Sequence, residues 1–179
     1  MYKKRKSGTY SRHNVPYHHP PMLMLQKQFQ VILNARNRVV ILVGQGVLRA
    51  GEEVLAVAEK LGAPIVKALL GEAVIPDDSP HTTGGIGLLG TTPSNDAMNE
   101  ADTLVMIGTS FPYIDYLPKP GQARGIQIDI KSEKIGLRYP IEIGLVGDPK
   151  LILTELLPLL LQKHNLEFKS KTERNKKLE

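Results

Sequence analysis

Between Gly84 and Asp148 several short apolar runs each stop on a glycine, an acid or a hydroxyl residue, and few folds accept that pattern. The stretch reads GGIGLLGTTPSNDAM, then ADTLVMIGTSFPY, RGIQIDI and EIGLVGD. Runs apolar on both sides suit strands covered on both faces, and loops that open at the strand ends suit the carboxyl edge of a parallel sheet.

The rest of the chain continues this alternation. Apolar residues at Met22, Leu25, Phe29, Ile32 and Leu33 recur at helical spacing over 22–34. Arg38–Val43 reads as a buried strand, Gly44-Gln45-Gly46 as a tight loop, Ala50–Leu61 as a helix stopped by Gly62, and Ala63–Lys67 as a second strand. Residues 71–90 hold three prolines or acids in a row at Pro76-Asp77-Asp78, then Pro80, Gly84, Gly85 and Gly87, and read as a long irregular loop, a type that usually carries function. A short helix is expected over Pro93–Glu100 with Thr92 as its cap, then strands at Thr103–Ile107, Gly125–Asp129 and Ile141–Val146. A last helix runs from Asp148 to about Lys163, with the Asp148 carboxylate placed to cap it. The order predicts a doubly wound, Rossmann-like, mostly parallel α/β sheet of about six strands, with helices on both faces. It divides the chain into an arm at 1–21, read as linker or disordered, an α/β domain at 22–163 and a polar tail at 164–179.

Charge sharpens the reading. The formal net charge is +5, but residues 1–20 carry five Lys/Arg and no acid, and residues 163–179 carry six Lys/Arg against three Glu. The remaining 142 residues hold twelve Lys/Arg against fifteen Asp/Glu, a balance of −3. A nucleic-acid binder places its basic stripe on a folded face, so Lys3, Lys4, Arg5 and Lys6 read as a solvated tail and no nucleic-acid partner is expected. The chain has no cysteine, which excludes disulfides and thiolate metal sites. The apolar run Leu151–Leu161 is too short to span a bilayer and holds Glu155 and Pro158, and no apolar leader is visible. A cytoplasmic location is expected. His13, His18 and His19 read as an incidental cluster rather than a metal site.

Four strand-end loops can carry chemistry. Gly44, Gln45 and Gly46 allow backbone N–H groups to approach a pyrophosphate, or simply make a turn. The NAD fingerprint fails twice, because Arg49 stands where a third glycine belongs and Lys67 where an acid should meet the ribose. Gly87, Leu88, Leu89, Gly90, Thr91 and Thr92 pair glycines with hydroxyls at a helix start. Thr109, Ser110, Phe111, Pro112 and Tyr113 offer hydroxyls and rings that either face a flat heterocycle or anchor the loop on the core. Asp129 ends a strand, as the acid that meets a ribose diol does, or caps a helix. No catalytic residue is assigned: Ser94 and Ser110 lack a nucleophile-elbow context, Asp77-Asp78 reads as a turn, and His81 as a structural histidine.

In combination, ILVGQG (41–46), GGIGLLGT (84–91), ADTLVMIGTSFPY (101–113), IQIDI (126–130), IG (135–136) and LVGDPK (145–150) resemble the central domain of thiamine-diphosphate-dependent enzymes acting on 2-oxo acids. The likeness covers roughly 22–162 and is to pyruvate oxidases first, with acetolactate synthases further off. In flavin-containing members this domain holds FAD across the strand ends. The resemblance then implies Gly44 and Gly46, with Gln45 between them, against the adenosine half. It implies Leu88, Leu89, Gly90 and Thr91 along the flavin–ribityl half, Thr109–Tyr113 beside the ribityl and pyrophosphate, Asp129 and Ile130 at the adenine ribose, and Asp148 at the same edge. Thiamine diphosphate and Mg²⁺ belong to other domains of such enzymes. Here Gly147-Asp148 is followed by Pro149 rather than glycine, so no metal ligand is assigned and the isolated chain is expected to lack 2-oxo acid decarboxylase activity. The implied partners are the flanking thiamine-binding domains of a homo-oligomeric parent, and the chain reads as an excised middle third or a stand-alone relic of one. The alternatives are a cofactor-free structural module of the same fold and an independent NAD-binding protein.

Overall fold

The computed structural model describes residues 22–164 and 166–177. The arm expected at 1–21, with Lys3–Lys6 and the group His13, His18 and His19, lies outside them. Six strands form one sheet: β1 Val39–Val43, β2 Ile65–Lys67, β3 Thr82–Gly85, β4 Thr103–Ile107, β5 Arg124–Asp129 and β6 Ile143–Val146. Their order is β3-β2-β1-β4-β5-β6, and every pairing is parallel. The expected doubly wound α/β fold is therefore present. Val39 stands opposite Thr103 and Val43 opposite Ile107, so β1 and β4 end level at the point where the winding reverses. In such sheets ligands bind in the crevice outside that point.

The alternation within each strand supplies the two halves of the core. Val39, Ile41 and Val43 of β1, with Val105, Ile107, Ile126 and Ile128, pack against α1 (Met22–Ala35), α2 (Gly51–Leu61) and α4 (Pro149–Leu156). Val40, Leu42, Val66, Leu104 and Met106 face the other way, onto α3 (Thr92–Glu100) and Phe168 of α5 (Glu167–Lys177). Side chains of this kind contribute about 1.5–3 kcal/mol each when fully buried. Gly62 takes φ +59° as the left-handed cap of α2, as the sequence suggests.

Four details differ from the sequence reading. The stretch 71–90 is not wholly irregular: a 3-10 turn covers Leu69–Val74, and Thr82–Gly85 pairs with β2 as an edge strand. Helix α3 is capped by Thr91 rather than Thr92; the Thr91 hydroxyl accepts from the Ser94 N–H, which puts Pro93 in the first turn. Helix α4 stops at Leu156 because Pro158 forces a 3-10 turn over Leu157–Leu159. Within the tail after Lys163, Glu167–Lys177 form α5, which lies on α3 and β3: Phe168 and Thr172 are buried, Lys171 pairs with Glu100 at 2.6 Å, and Asn175 donates to Asp96 at 3.2 Å.

Candidate functional site

A cleft of about 890 Å³ runs along the carboxyl ends of the strands. Strands at about 4.8 Å spacing carry it roughly 24 Å across six of them. Thirteen of the fifteen residues singled out from the sequence line it: Gly44, Gln45, Gly46, Leu88, Leu89, Thr109, Ser110, Phe111, Pro112, Tyr113, Asp129, Ile130 and Asp148. Gly90 and Thr91 do not. The Gly90 N–H donates to Gly87 O at 2.9 Å, and the Thr91 hydroxyl donates to Thr83 O at 2.7 Å while it caps α3. These two close the loop that carries Leu88 and Leu89, and both leucines stand out into water.

In the middle of the cleft, the glycines serve backbone packing. A Cβ on Gly46 would lie 2.7 Å from the Gly108 Cα, and one on Gly44 2.7 Å from the Gly108 oxygen. Two loop backbones meet at the switch point with no room for side chains. Their amides are engaged there as well: Gly44 N–H donates to Ile107 O (3.2 Å), Gly46 N–H to Gly108 O (3.0 Å) and Val47 N–H to Gly44 O (3.2 Å). Helix α2 begins only at Gly51 and carries Glu52 and Glu53 in its first turn. The Gly44 and Gly46 N–H groups are thus spent on protein carbonyls, and the helix N-terminus lies beyond the loop. Beyond β4, Phe111 is buried as the loop's anchor and meets exposed Tyr113 edge-on, with ring centroids 5.5 Å apart. The Thr109 hydroxyl accepts from the Phe111 N–H at 3.2 Å.

On the β2 flank the sequence reading missed a charge network. Lys67, whose side chain is 1% exposed, extends its ammonium to Glu72 (3.0 Å), to Asp77 and to the carbonyls of Glu72 (3.2 Å) and Ile75 (3.4 Å). Burial pulls the ammonium down, but the hydrogen bonds it donates to the Asp77 and Glu72 carboxylates, with their charges, outweigh it and hold Lys67 above the ordinary lysine value. The Lys67 hydrogen bond holds Asp77 below its ordinary value. Asp77 is therefore more than a turn residue: it ties the 76–80 loop to β2, and Lys176 of α5 donates to its carbonyl at 2.5 Å. His81, half-buried, is pushed down by burial, then by the Lys169 charge, and its Nδ1 has no hydrogen-bond partner among the described residues.

On the β5–β6 flank the acids are engaged with backbone. Asp129 Oδ1 accepts from the Lys131 N–H (2.9 Å) and caps a turn rather than a helix; Asp148 Oδ1 accepts from the Lys150 N–H (2.8 Å) and caps α4 as expected. This donor set does not suit the Mg²⁺ of a thiamine diphosphate site. Among the described residues no group of three or more His, Asp or Glu side chains is placed to hold a metal ion. No helix among them is long and apolar enough to cross a membrane.

Fold and cleft together define a doubly wound, Rossmann-like α/β domain with one cleft along its strand ends. The model of the thiamine pyrophosphate enzyme central domain matches residues 25–156, and the chain belongs to that family. It is 47% identical over 139 residues to a Bacillus subtilis (strain 168) protein named for thiamine pyrophosphate, YdaP, covering 78% of this chain and 24% of that protein. It is 36% identical over 160 residues to a Methanocaldococcus jannaschii protein assigned as an acetolactate synthase large subunit, covering 86% of this chain and 26% of the other. Among solved structures, a Mycobacterium smegmatis protein assigned as a thiamin-diphosphate-dependent enzyme superposes with a TM-score of 0.66 at 27% identity, over 82% of this chain and 29% of that one. The chain thus spans about a quarter of the length of these relatives.

Proposed function

We propose that this chain serves as the central domain of a thiamine-diphosphate-dependent 2-oxo acid enzyme of the pyruvate oxidase type, and that its cleft takes an FAD-type dinucleotide. The observation that carries the reading is the single cleft that touches the ends of all the strands and crosses the switch point. A ligand that meets both flanks must be long, which favours a dinucleotide over a mononucleotide. The residues fit such a group: Asp129 and Ile130 stand at one end, Leu88 and Leu89 at the other, and Ser110 and Tyr113 lie between. Bound there, the flavin would supply redox chemistry, and the chain's own residues would orient it and exclude water. Thiamine diphosphate and Mg²⁺ are assigned to flanking domains of a homo-oligomeric parent.

The second reading is a cofactor-free module for domain and subunit contacts. It is favoured by the exposed apolar rim of Leu69, Leu70, Leu88, Leu89, Tyr113 and Ile130, since patches of this kind mark contact surfaces. Titration of FAD against the wild type and Asp129→Ala, followed by flavin fluorescence, separates the two. The flavoprotein reading expects saturable binding that weakens about tenfold in the variant, equivalent to about 1.4 kcal/mol. No binding, or equal binding to both proteins, favours the module.

A further inference from the structure

The opposite edge of the sheet holds a second, separate cavity. It measures about 480 Å³ and lies at the amino ends of the strands, where Arg36 leads into β1, Asp102 into β4 and Glu142 into β6, while Arg124 opens β5. Its charges do not cancel. The guanidinium groups of Arg36, Arg38 and Arg124 stand around only two carboxylates, Asp102 and Glu142, and both carboxylates are taken. Glu142 meets Arg124 through both of its oxygens, and those hydrogen bonds, with the charges of Arg124 and Arg36, hold its carboxyl below the usual range. Asp102 Oδ2 accepts from the Arg38 N–H at 3.2 Å and Oδ1 from the Thr103 hydroxyl at 3.1 Å, with the Arg38 Nε 3.9 Å away. Arg36 is left over. Half-buried, it lines the cavity, and its guanidinium has no ion-pair or hydrogen-bond partner among the described residues.

The walls around it are tied down. Lys163 Nζ donates to Arg36 O at 2.7 Å and to Asn34 O at 2.5 Å, which fixes the backbone that presents Arg36. The hydroxyl of buried Tyr139 donates to Ala123 O at 2.9 Å, and Gln122 Nε2 donates to Asn99 O at 2.9 Å at the end of α3. A Cβ on Gly125 would run into the Pro140 carbonyl, so these two segments pack backbone to backbone. Walls held at this many points lose little freedom when a ligand enters. Beside the charges the lining is apolar: Ala123, Pro140 and Ile141.

We propose that this amino-edge cavity binds a small organic carboxylate, anchored by the Arg36 guanidinium with its apolar body against Ala123, Pro140 and Ile141. A planar guanidinium takes a carboxylate through two parallel N–H···O bonds, and a monoanion answers the one guanidinium that the protein's own acids leave free. The apolar wall favours a carboxylate with a hydrocarbon body over inorganic phosphate, which has none to bury. The site goes beyond the nucleotide reading and does not rest on it: the two cavities share no lining residue and lie at opposite ends of the strands.

The test is amide chemical-shift mapping of the labelled whole chain titrated with isobutyrate, with isobutyramide and inorganic phosphate as controls, on wild type and on Arg36→Gln. The assignment expects saturable isobutyrate shifts at Gly121–Gly125 and Ile141–Glu142, and none at Gly44–Gly46 or Asp129. Isobutyramide has the same shape without the charge, and phosphate has charge without the apolar body; each should bind wild type about tenfold more weakly or worse. Arg36→Gln should lose about tenfold or more in isobutyrate affinity, with its urea midpoint at the wild-type value. The assignment is overturned by the absence of saturable shifts in wild type, by isobutyramide or phosphate binding wild type as tightly as isobutyrate, or by undiminished binding to Arg36→Gln. A lowered midpoint in that variant would make Arg36 a structural residue and would overturn it as well.

Discussion

The two flanks of the cleft solve the same problem in opposite ways. On the β2 flank a buried lysine is surrounded by two carboxylates and two carbonyls, so its charge is consumed in holding the 69–77 loop. On the β5–β6 flank a buried glutamine, Gln127, does the holding, with no net charge, and the cations of its loop, Lys131, Lys134 and Arg138, stay outside, without an ion-pair partner among the described residues. A charge used for architecture is not available to a ligand, whereas architecture built from a neutral amide leaves its charges free. Between the flanks the glycines use no side chains at all, and Gly46 and Gly108 bring two loops into backbone contact.

Four experiments with variants of the whole chain break or sharpen this comparison. The largest effect is expected at the centre. In Gly46→Ala the new Cβ would meet the Gly108 Cα at 2.7 Å, where only backbone could yield, and a destabilisation of about 2–3 kcal/mol is expected in urea unfolding without any ligand. A wild-type midpoint with weakened ligand binding would mean that the glycine faces a ligand and not the loop. Next comes the β2 flank. Glu72→Gln/Asp77→Asn leaves the Lys67 charge buried with neutral partners; losing a buried ion's partner costs about 3–5 kcal/mol, discounted here to about 2 because both carboxylates face water. Hydrogen exchange should rise over 69–77 in the same variant, and an unchanged loop would refute the view that the Lys67 network is the strap that ties this loop to β2.

The strap could not be seen from residue order, because Lys67 and Asp77 meet only after the chain folds back through a 3-10 turn. At the sequence level Lys67 only counted against an NAD site. Strand β3 was illegible for a different reason: Thr82-Thr83-Gly84-Gly85 has no apolar alternation, and its glycines weaken any strand signal. Helix α5 buries little beyond Phe168 and Thr172, so its pattern reads as a solvated tail. What was legible were the buried strands, whose apolar runs are continuous, and the strand-end residues, whose loops parallel winding sends to one edge. Thr91 was legible as a helix-start hydroxyl, yet its cap to Ser94 turns it away from the cleft. The cations at 131, 134 and 138 were visible in the sequence, in a body of net negative charge, but their freedom shows only once Asp129 and Asp148 are seen to be engaged.

Smaller again is a pH effect on the β3 side. His81 has its folded pKa below the unfolded value of about 6.5, so the unfolded chain binds the proton first. Its contribution is whole above pH of about 6.5 and is lost as pH falls toward the folded value. Lys169 deepens the shift while Glu59 and Glu173 oppose it. His81→Asn should flatten the stability profile just below pH of about 6.5, and an unchanged profile would remove His81 from the account. Smallest of all, the triple alanine variant at 131, 134 and 138 should alter unfolding stability by no more than about 0.5 kcal/mol. A larger loss would make those cations structural and the two flanks alike.

The central claim is that one nucleotide lies along the strand ends of this thiamine pyrophosphate enzyme central domain. Amide chemical-shift mapping of the labelled chain during FAD titration tests it most directly. The account predicts saturable shifts at Gly44–Gly46, Leu88–Leu89, Thr109–Tyr113 and Asp129–Lys131, with the β2-strap residues 72–77 little moved. Shifts confined to one flank, shifts elsewhere on the domain, or none at saturating FAD would contradict it.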